Sequence, residues 1–370
     1  MILPNKKYKI ALIGYRLSIG GAERALANLS IFFEQNNIEV HNIIVIDAVS
    51  YSFAGKLVNL GKLKNSSNGL LNKFHRLRFL NNYLKQNEFD YIIDFRFRIK
   101  PIQEFMIAKF LYKTKVIFSV RSYLIDHYMP NWSLLTRLMY GKCYQIVAVT
   151  NKVKELIETK HQLKNVTTIY NAIDIEGISK KSQVPIALDF QYIIGVGQME
   201  TNIKQFDKLI EAYAKSILIR SDIHLVLLGD GVHKSKLKEL ANRRNVAAKV
   251  HFLGFQDNPY QFLSRAKFFV LSSLNEGLPN VILESLACQT PVIAFDCLSG
   301  PSEMIIQQQN GLLVENQNVQ KLSEAMNLLI EDTDLYKYCK QNTLLSIAHF
   351  SMDHIGKQWM HLMGIKMKNK

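Results

Sequence analysis

The sequence predicts an α/β protein built from two doubly wound, Rossmann-like domains. Short runs rich in β-branched residues alternate with helical patterns along the chain, and nearly every residue of each run is apolar. Such runs are typical of parallel strands that are buried on both faces. The alternation occurs twice, and the break falls at residues 171–190, where the periodicity lapses and Lys, Ser and Pro accumulate. Each series therefore predicts one parallel sheet with helical crossovers.

The elements follow in the same order in both halves. In the first half we predict strands at 9–15, 40–47, 91–95, 116–120, 145–150 and 166–171. In the second half we predict strands at 192–197, 224–231, 250–255, 268–273, 291–295 and 311–314. The helix "GAERALANLSIFFEQ" places an apolar stripe on one face, made of Ala22, Leu26, Leu29 and Phe33. We place the domains at 1–178 and 179–351, followed by a helical segment around Trp359.

Composition limits the class of protein. The chain has 370 residues, of which 48% are apolar and 21% charged, as in folded globular proteins. Its four cysteines are scattered, which suits a reducing cytoplasm. We find no signal segment and no apolar run near the roughly 20 residues that span a bilayer. These features predict a soluble or peripheral protein.

The positive charge is concentrated in the first half. Residues 1–180 hold 26 Lys and Arg against 13 Asp and Glu, or +13, out of a total net charge of +15. Residues 181–370 hold 20 against 18, or +2. A field of this sign favours an anionic partner, although a genome rich in lysine codons gives the same excess without any function.

Ligands of open α/β sheets bind beyond the carboxyl ends of the strands, so we expect a site in a cleft between the two domains. The stretch "SIGGAER" lies between the first strand and the first helix. Gly20 and Gly21 allow a close approach of the backbone, and the helix N-terminus behind them favours an anion. Glycines at such a turn also occur for steric reasons alone.

A second glycine-rich turn, "GVGQMETNIKQ", leads to Lys204 just before an amphipathic helix. A lysine at this position can act as a point charge on a phosphate. The alternative is a solvated lysine at a helix start.

The stretch "NEGLPNVILE" places two acids eight positions apart, Glu276 on a Gly/Pro loop and Glu284 inside the helix that we predict to begin near Asn280. A carboxylate on the loop suits recognition of hydroxyl groups, and one on the helix suits a vicinal diol such as ribose. Backbone N–H groups at the helix start suit phosphate or sugar oxygens. Two surface glutamates would not need the apolar flank formed by Val281, Ile282 and Leu286.

Together these motifs resemble glycosyltransferase family 4. The resemblance rests on "SIGGAERAL", "IYNAID", "EGLPNVILE" and "SGPSEMI", which occur in the order and approximate spacing of that family and extend over the chain. It implies the GT-B fold, with two Rossmann-like domains facing across a cleft, and a retaining transfer from a nucleotide sugar. It also implies that the last helix, about 352–370, packs back on the first domain.

The resemblance assigns roles to particular residues. Glu276 would contact the transferred sugar beside its anomeric carbon, Glu284 the ribose hydroxyls, and Lys204 the diphosphate. The backbone that holds the sugar hydroxyls and the diphosphate would be that of Gly277, Leu278, Pro279 and Asn280. Gly20 and Gly21 would lie close to the diphosphate.

Two positions depart from the family pattern. The family has an arginine where Gln198 stands, with a lysine five positions later, whereas Lys204 follows six positions later. The second cation for the diphosphate is therefore missing. After the strand "VIFSV", relatives carry Glu-Arg or Glu-His, and here Val120 precedes Arg121. We carry Arg121 over as a catalytic candidate and expect Arg121 or Arg24 to compensate, although Arg121 can also simply cap the strand end.

No Asp-x-Asp metal motif is convincing, because the nearest, "DIE" at 174–176, lies in the linker. We therefore predict no metal and no cofactor beyond the nucleotide-sugar donor, for which the family favours UDP. Lys204 and helix N-termini would stabilise the departing diphosphate. Two-carboxylate retention needs a second acid about 5 Å away across the sugar. The resemblance instead implies same-face attack by the acceptor hydroxyl.

The basic first half would hold the acceptor. Residues 61–86 interleave basic and apolar side chains at helical spacing, which suits an anionic membrane surface. The basic members are Lys62, Lys64, Lys73, Arg76 and Arg78, and the apolar members are Leu70, Leu71, Phe74, Leu77 and Phe79. At a strand end we add Arg96, Arg98 and Lys100. The predicted acceptor is an anionic glycan or lipid-linked sugar at the cytoplasmic face of the membrane, unless the helix simply buries its Leu and Phe against the sheet.

Other classes fit fewer of the motifs. Nucleic-acid binding would explain the pI of about 9.5, but no recognised nucleic-acid-binding motif accompanies the charge. A GT-B-fold relative that binds a nucleotide sugar without transferring it, such as an epimerase or a lectin-like protein, remains the main alternative.

Overall fold

A computed structural model describes residues 7–64 and 69–366, except for the side chain of Leu70. The chain divides into two compact units, one formed by residues 1–172 and 352–370 and the other by residues 173–351. The break follows Ala172, within the 171–190 segment of lapsed periodicity. Each unit contains one parallel sheet, as predicted.

The first unit holds a sheet of seven described strands in the order β3-β2-β1-β4-β5-β6-β7, all parallel. Its strands are β1 (Lys9–Gly14), β2 (Glu39–Ile44), β3 (Lys56–Asn59), β4 (Tyr91–Asp94), β5 (Lys115–Val120), β6 (Gln145–Ala148) and β7 (Val166–Thr168). Its helices are α1 (Gly21–Gln35), α2 (Leu70–Asn87), α3 (Pro101–Met106), α4 (Ser133–Tyr140) and α5 (Asn151–His161). A π-helical turn, Ile107–Leu111, continues α3, and short 3₁₀ turns lie at Leu60–Leu63 and Ile125–His127.

The second unit holds six described parallel strands in the order β10-β9-β8-β11-β12-β13. They are β8 (Tyr192–Val196), β9 (His224–Leu228), β10 (Val250–Gly254), β11 (Phe269–Leu271), β12 (Val292–Phe295) and β13 (Gly311–Val314). The helices are α6 (Ile175–Ser182), α7 (Phe206–Lys215), α8 (Lys234–Arg243), α9 (Tyr260–Leu263), α10 (Asn280–Ala287), α11 (Val319–Glu331) and α12 (Thr333–Ser346). Further 3₁₀ turns lie at Ile217–Ile219, Ala247–Lys249, Pro301–Glu303 and Ala348–Phe350.

The last helix, α13 (Met352–Leu362), belongs to the first unit. Trp359 is buried there, with its ring centroid 6.2 Å from that of Phe95. Gly356 faces the ring of Phe32 on α1 so closely that a side chain at this position would overlap the ring. The helix therefore completes the core of the first unit.

The twelve predicted strands are present, each within a few residues of its predicted bounds. The sequence analysis missed β3, an edge strand of four residues in which only Val58 is buried. Because an edge strand pairs on one side only, it lacks the continuous apolar run that identified the central strands.

Candidate active site

In the second unit, Lys204 and Glu276 meet beyond the carboxyl ends of β8 and β11. The Lys204 Nζ lies 2.6 Å from Glu276 Oε1, and the Ser273 hydroxyl donates to the same oxygen at 2.7 Å. Both charged side chains are largely buried, with exposed fractions of 25% and 13%. Two donors on one oxygen fix the orientation of the carboxylate and leave its Oε2 without a bond to Lys204 or Ser273.

Lys204 is positioned by the turn that precedes α7. Gly197, which follows β8, lies against the aliphatic part of the Lys204 side chain, and a Cβ on this glycine would stand 2.9 Å from Lys204 Cγ. The Ser272 hydroxyl donates to the Lys204 carbonyl at 2.8 Å, and Leu274 N donates to the Ile203 carbonyl at 2.8 Å. These bonds join the turn after β8 to the loop after β11.

Glu284 lies in the second turn of α10, which begins at Asn280 as predicted. The hydroxyl of Tyr260, a buried residue of α9, approaches Glu284 Oε1 at 3.4 Å. Burial, and then the neighbouring Glu284 carboxylate, raise the pKa of the Cys288 thiol to about 12. The Cys288 thiol beside Glu284 therefore stays neutral.

The loop from Gly277 to Asn280 is held by the segment that follows β12. The Ser299 hydroxyl donates to the Gly277 carbonyl at 3.0 Å. Gly300 has φ +100, and a Cβ there would come within 2.5 Å of Pro279 Cδ. Leu278 is buried, and Pro279 precedes the first residue of α10 without any side-chain cap for the helix N-terminus. The "SGPSEMI" segment thus supports the loop that carries Glu276.

Gln198 is exposed on the turn after β8. Its neighbour Met199 is buried and donates its N–H to the Asp230 carbonyl at 2.8 Å. Gly229, with φ +133, packs so closely on the Gly197 carbonyl that no side chain fits there. The turn therefore packs closely against the segment after β9, while Gln198 itself is exposed.

In the first unit, Gly20 and Gly21 lie where the sequence predicts, at the start of α1. Gly20 has φ +128 and donates its N–H to the Tyr51 hydroxyl at 3.2 Å. The Glu23 carboxylate folds back over Gly20, and burial raises the pKa of this carboxyl group. The Arg24 guanidinium lies 5.0 Å from the Tyr51 ring centroid. The helix start therefore carries both an acid and a cation.

Arg121 directly follows β5 in the first unit and is buried. Its Nη1 donates to the Ile169 carbonyl at 3.0 Å, and its guanidinium lies 5.1 Å from the Phe95 ring centroid and 5.9 Å from that of Trp359. Burial lowers its pKa to about 10. These contacts tie the end of β5 to β7 and α13.

The prediction that Arg96 and Arg98 belong to an anion-binding surface is wrong. Arg96 is buried and pairs with Asp94 at 2.8 Å and with Glu104 at 3.0 Å. Arg98 is 2% exposed and donates to backbone carbonyls. Since both guanidinium groups are satisfied inside the unit, only Lys100 of this predicted set remains exposed.

The predicted basic helix is α2, although residues 65–68 and the side chain of Leu70 lie outside the described residues. Lys73 and Arg78 are exposed, as are Leu71 and Phe74. Arg76 instead donates to the Val45 carbonyl at 2.6 Å. The buried face is formed by other residues, Leu80 and Leu84.

Sequence reasoning missed Ser273, Tyr260 and Gly300. Ser273 stands three residues before Glu276, and only its contact with the carboxylate distinguishes it from other loop serines. Tyr260 is distant in sequence from Glu284, so periodicity carries no signal for it. The glycine of "SGPSEMI" was a recognisable signal, because a Gly-Pro pair after a strand indicates an unusual backbone conformation.

Two further features are absent from the described residues. Within 7–64 and 69–366, no group of three or more His, Cys, Asp or Glu side chains is arranged to hold a metal ion. None of the described helices combines the length and apolarity needed to cross a membrane.

Comparison with known proteins identifies the family. Residues 19–176 match the family described as Glycosyltransferase Family 4, and residues 178–345 match Glycosyl transferases group 1. An N-acetylgalactosamine-N,N'-diacetylbacillosaminyl-diphospho-undecaprenol 4-alpha-N-acetylgalactosaminyltransferase from Campylobacter jejuni is 32% identical, over 90% of this chain and 93% of that protein. The chain belongs to glycosyltransferase family 4.

Solved structures agree on the fold of this family-4 glycosyltransferase. Anabaena Alr3699/HepE, in complex with UDP and glucose, has a TM-score of 0.77 at 19% identity and covers 96% of this chain and 99% of its own. The lipopolysaccharide outer core galactosyltransferase WaaB, in its apo form, has a TM-score of 0.70 at 21% identity, with 96% and 99% coverage. This structural similarity shows that the chain has the predicted GT-B fold.

Proposed function

We propose that this glycosyltransferase moves a hexose or an N-acetylhexosamine from a UDP-linked sugar to a lipid-linked or lipopolysaccharide glycan, with retention at the anomeric carbon. The observation that carries the proposal is the Lys204–Glu276 pair at the carboxyl edge of the second sheet, with Glu284 on the helix that follows. A cation, a fixed carboxylate and a helix N-terminus are the groups that a nucleotide diphosphate sugar requires.

Each group has a role in this proposal. Lys204 neutralises the diphosphate, and its ammonium has three donors, so it can keep Glu276 while it binds a phosphate oxygen. The Glu276 carboxylate accepts from sugar hydroxyls beside the anomeric carbon. Glu284 accepts from the two ribose hydroxyls. The backbone of Gly277, Leu278, Pro279 and Asn280 binds sugar and diphosphate oxygens at the start of α10.

The first unit supplies the acceptor side. In this proposal Gly20 and Gly21 approach the diphosphate through the backbone, and Arg121 adds a positive charge near the reacting groups. Gln198 supplies a neutral hydrogen-bonding group in place of the family's arginine.

Retention follows from same-face attack. The contacts of Glu276 with Lys204 and Ser273 come from donors, which suits a carboxylate that stabilises positive charge at the anomeric carbon. The acceptor hydroxyl then attacks from the face that the diphosphate leaves, and a diphosphate oxygen takes its proton. Lys204 and the backbone N–H groups stabilise the negative charge on the leaving group without a metal ion.

The names of the relatives support the donor and the acceptor. The Campylobacter jejuni relative is named for transfer of N-acetylgalactosamine to a sugar on diphospho-undecaprenol, and the Anabaena structure contains UDP and glucose. We propose that this chain works at the cytoplasmic face of a membrane that carries the acceptor.

The test is a transfer assay with a panel of UDP-hexoses and UDP-N-acetylhexosamines and a polyprenyl-diphosphate-linked glycan, run with and without EDTA. Proton NMR of the product reports the anomeric configuration. We expect an α-linked product from an α-linked donor, at a rate that EDTA leaves unchanged. An inverted product contradicts same-face attack, and donor binding without product favours the non-transferring alternative, in which Gln198 has replaced a required cation.

A further inference from the structure

The helices α2 and α4 cover one face of the sheet in the first unit. Val40 and Ile44 of β2 belong to the same core cluster as Phe33 of α1. His41 lies between them in sequence and therefore points to the opposite face, where its Nδ1 lies 2.8 Å from the Tyr83 hydroxyl of α2. On that same opposite face, Phe118 packs against Tyr140 of α4 with ring centroids 4.8 Å apart. The other face of the sheet is covered by α1, and α13 packs against α1.

Exposed apolar side chains follow α3, its π-helical extension and the adjacent α4. Ile102, Met106 and Phe110 are each four residues apart and therefore lie along one side of the helix. Ile102 is 85% exposed and Phe110 56% exposed. Leu134 and Leu138 have the same spacing on α4, and both are exposed. Core packing does not account for an apolar stripe on two neighbouring helices.

A basic pocket lies where these helices end. It has a volume of about 520 Å³ and lies beside the first residues of β5 and the segment before β6. We call it the lysine pocket, after Lys109, Lys113, Lys115 and Lys142, which line it. Its described lining contains no aspartate or glutamate, and burial raises the pKa of the Cys143 thiol in its wall to about 12. The pocket therefore carries positive charge without an internal counter-charge.

The pocket lies at the amino end of β5, whereas Arg121 follows the carboxyl end of the same strand. Lys115 is the first residue of β5, whereas ligands of such sheets bind beyond the last residues of the strands. Lys115 Nζ lies 5.3 Å from the Tyr91 ring centroid and 5.2 Å from that of Tyr144, which fixes its position. Among the described residues, Lys109, Lys113 and Lys142 have no carboxylate partner.

We propose that the lysine pocket binds the phosphate of an anionic phospholipid, while Phe110, Met106 and Leu138 enter the adjoining acyl region of the same bilayer. The inference rests on the proposed function, since it names the surface by which the chain reaches a membrane-borne acceptor. A phospholipid is the occupant that matches both features, because it joins a phosphate to an apolar phase.

The experiment is sedimentation of the full chain with vesicles of phosphatidylcholine alone or with phosphatidylglycerol added. We expect binding to the phosphatidylglycerol vesicles only. Lys113→Ala with Lys142→Ala is expected to weaken it about 30-fold, the effect of two cations at an anionic surface. Phe110→Ser with Leu138→Ser is expected to weaken it by at least tenfold, because two buried apolar groups are lost.

Two matched variants serve as controls. Lys215→Ala with Lys236→Ala removes the same charge from exposed sites of the second unit and is expected to change vesicle binding less than about twofold. Lys73→Ala with Arg78→Ala removes two charges from α2 and tests the other basic helix. Each variant is also titrated with UDP, because a variant that folds and binds UDP but not vesicles separates this inference from the donor site.

Three results would overturn the inference. The first is equal binding to both kinds of vesicle. The second is loss of binding in the α2 variant while the lysine-pocket variant binds like the unchanged chain. The third is calorimetric binding of inorganic pyrophosphate that Lys113→Ala with Lys142→Ala abolishes, in a chain that ignores vesicles, since the pocket would then serve a soluble phosphate.

Discussion

Replacing Glu276 with glutamine is expected to lower kcat/KM for sugar transfer by about 100- to 1,000-fold, the usual effect of removing one preorganised charged group from a transition state. Glutamine keeps the shape of the side chain and its oxygen can still accept from Ser273, but it cannot balance the charge of Lys204, which lies 2.6 Å away. The anomeric carbon would also lose the nearby negative charge that stabilises its positive character.

Steady-state kinetics with a UDP-sugar and the glycan acceptor measure this effect. Glu200→Gln makes the same chemical change at an exposed site on the turn before Lys204, and we expect it to keep nearly full activity. The melting temperature of both variants should stay close to that of the unchanged chain. If Glu276→Gln retains more than a tenth of the activity, the carboxylate has no direct role in the transfer step.

Replacing Arg98 with methionine is expected to destabilise the first unit by about 3–5 kcal/mol, the usual cost of removing one partner from a buried ion pair. The guanidinium donates to the carbonyls of Tyr128, Asp94, Arg96 and Ser119, at 3.0–3.3 Å. A methionine fills part of the volume but leaves these carbonyls without their donor. Lysine would not restore them, since a single ammonium lacks the planar fork.

The same change acts on Asp94 through its charge. Burial opposes ionisation of Asp94, but Arg96 and then Arg98 outweigh it and hold the pKa of this carboxyl below its usual value. A lowered pKa stabilises the fold above the unfolded-state pKa, and this stabilisation is lost as the pH falls through the folded-state value. The Arg98→Met variant should therefore lose stability at neutral pH and show a weaker further loss on acidification.

Urea unfolding followed by far-ultraviolet circular dichroism measures the free energy of unfolding. Arg137→Met is the matched control, because Arg137 is exposed on α4 and donates to Gln162 Oε1 at 2.7 Å. We expect it to cost less than about 1 kcal/mol. A loss below 1 kcal/mol for Arg98→Met would show that the buried cluster adds little to the fold.

The central strands of the two sheets could be predicted because strands buried on both faces consist of continuous runs of apolar residues. Glu276, Glu284 and Lys204 could be located because each stands next to a glycine-rich turn or a helix start that follows a predicted strand. The contact between Lys204 and Glu276 could not be predicted, since it depends on how the loops after β8 and β11 join through Ser272 and Leu274.

The arginines of "DFRFRIK" show a different limit. Sequence alone presents Arg96 and Arg98 as charges at a strand end, and their partners stand close by at Asp94 and Glu104. The sequence does not reveal whether such arginines point to solvent or into the unit. An acid two positions away can pair with an exposed arginine as well as with a buried one. The four lysines of the lysine pocket were likewise hidden, since two are near the π-helical turn and the others near β5 and β6.

In the proposed donor site, the second unit holds the nucleotide diphosphate through Lys204 and Glu284. The most direct measurement is calorimetric titration of the chain with UDP, GDP and ADP, beside Glu284→Ala and the exposed-site control Glu239→Ala. We predict micromolar binding of UDP that Glu284→Ala weakens about 10- to 100-fold, the loss of charge-assisted hydrogen bonds, and that Glu239→Ala leaves unchanged. The absence of nucleotide binding, or UDP binding that Glu284→Ala leaves intact, would contradict the assignment.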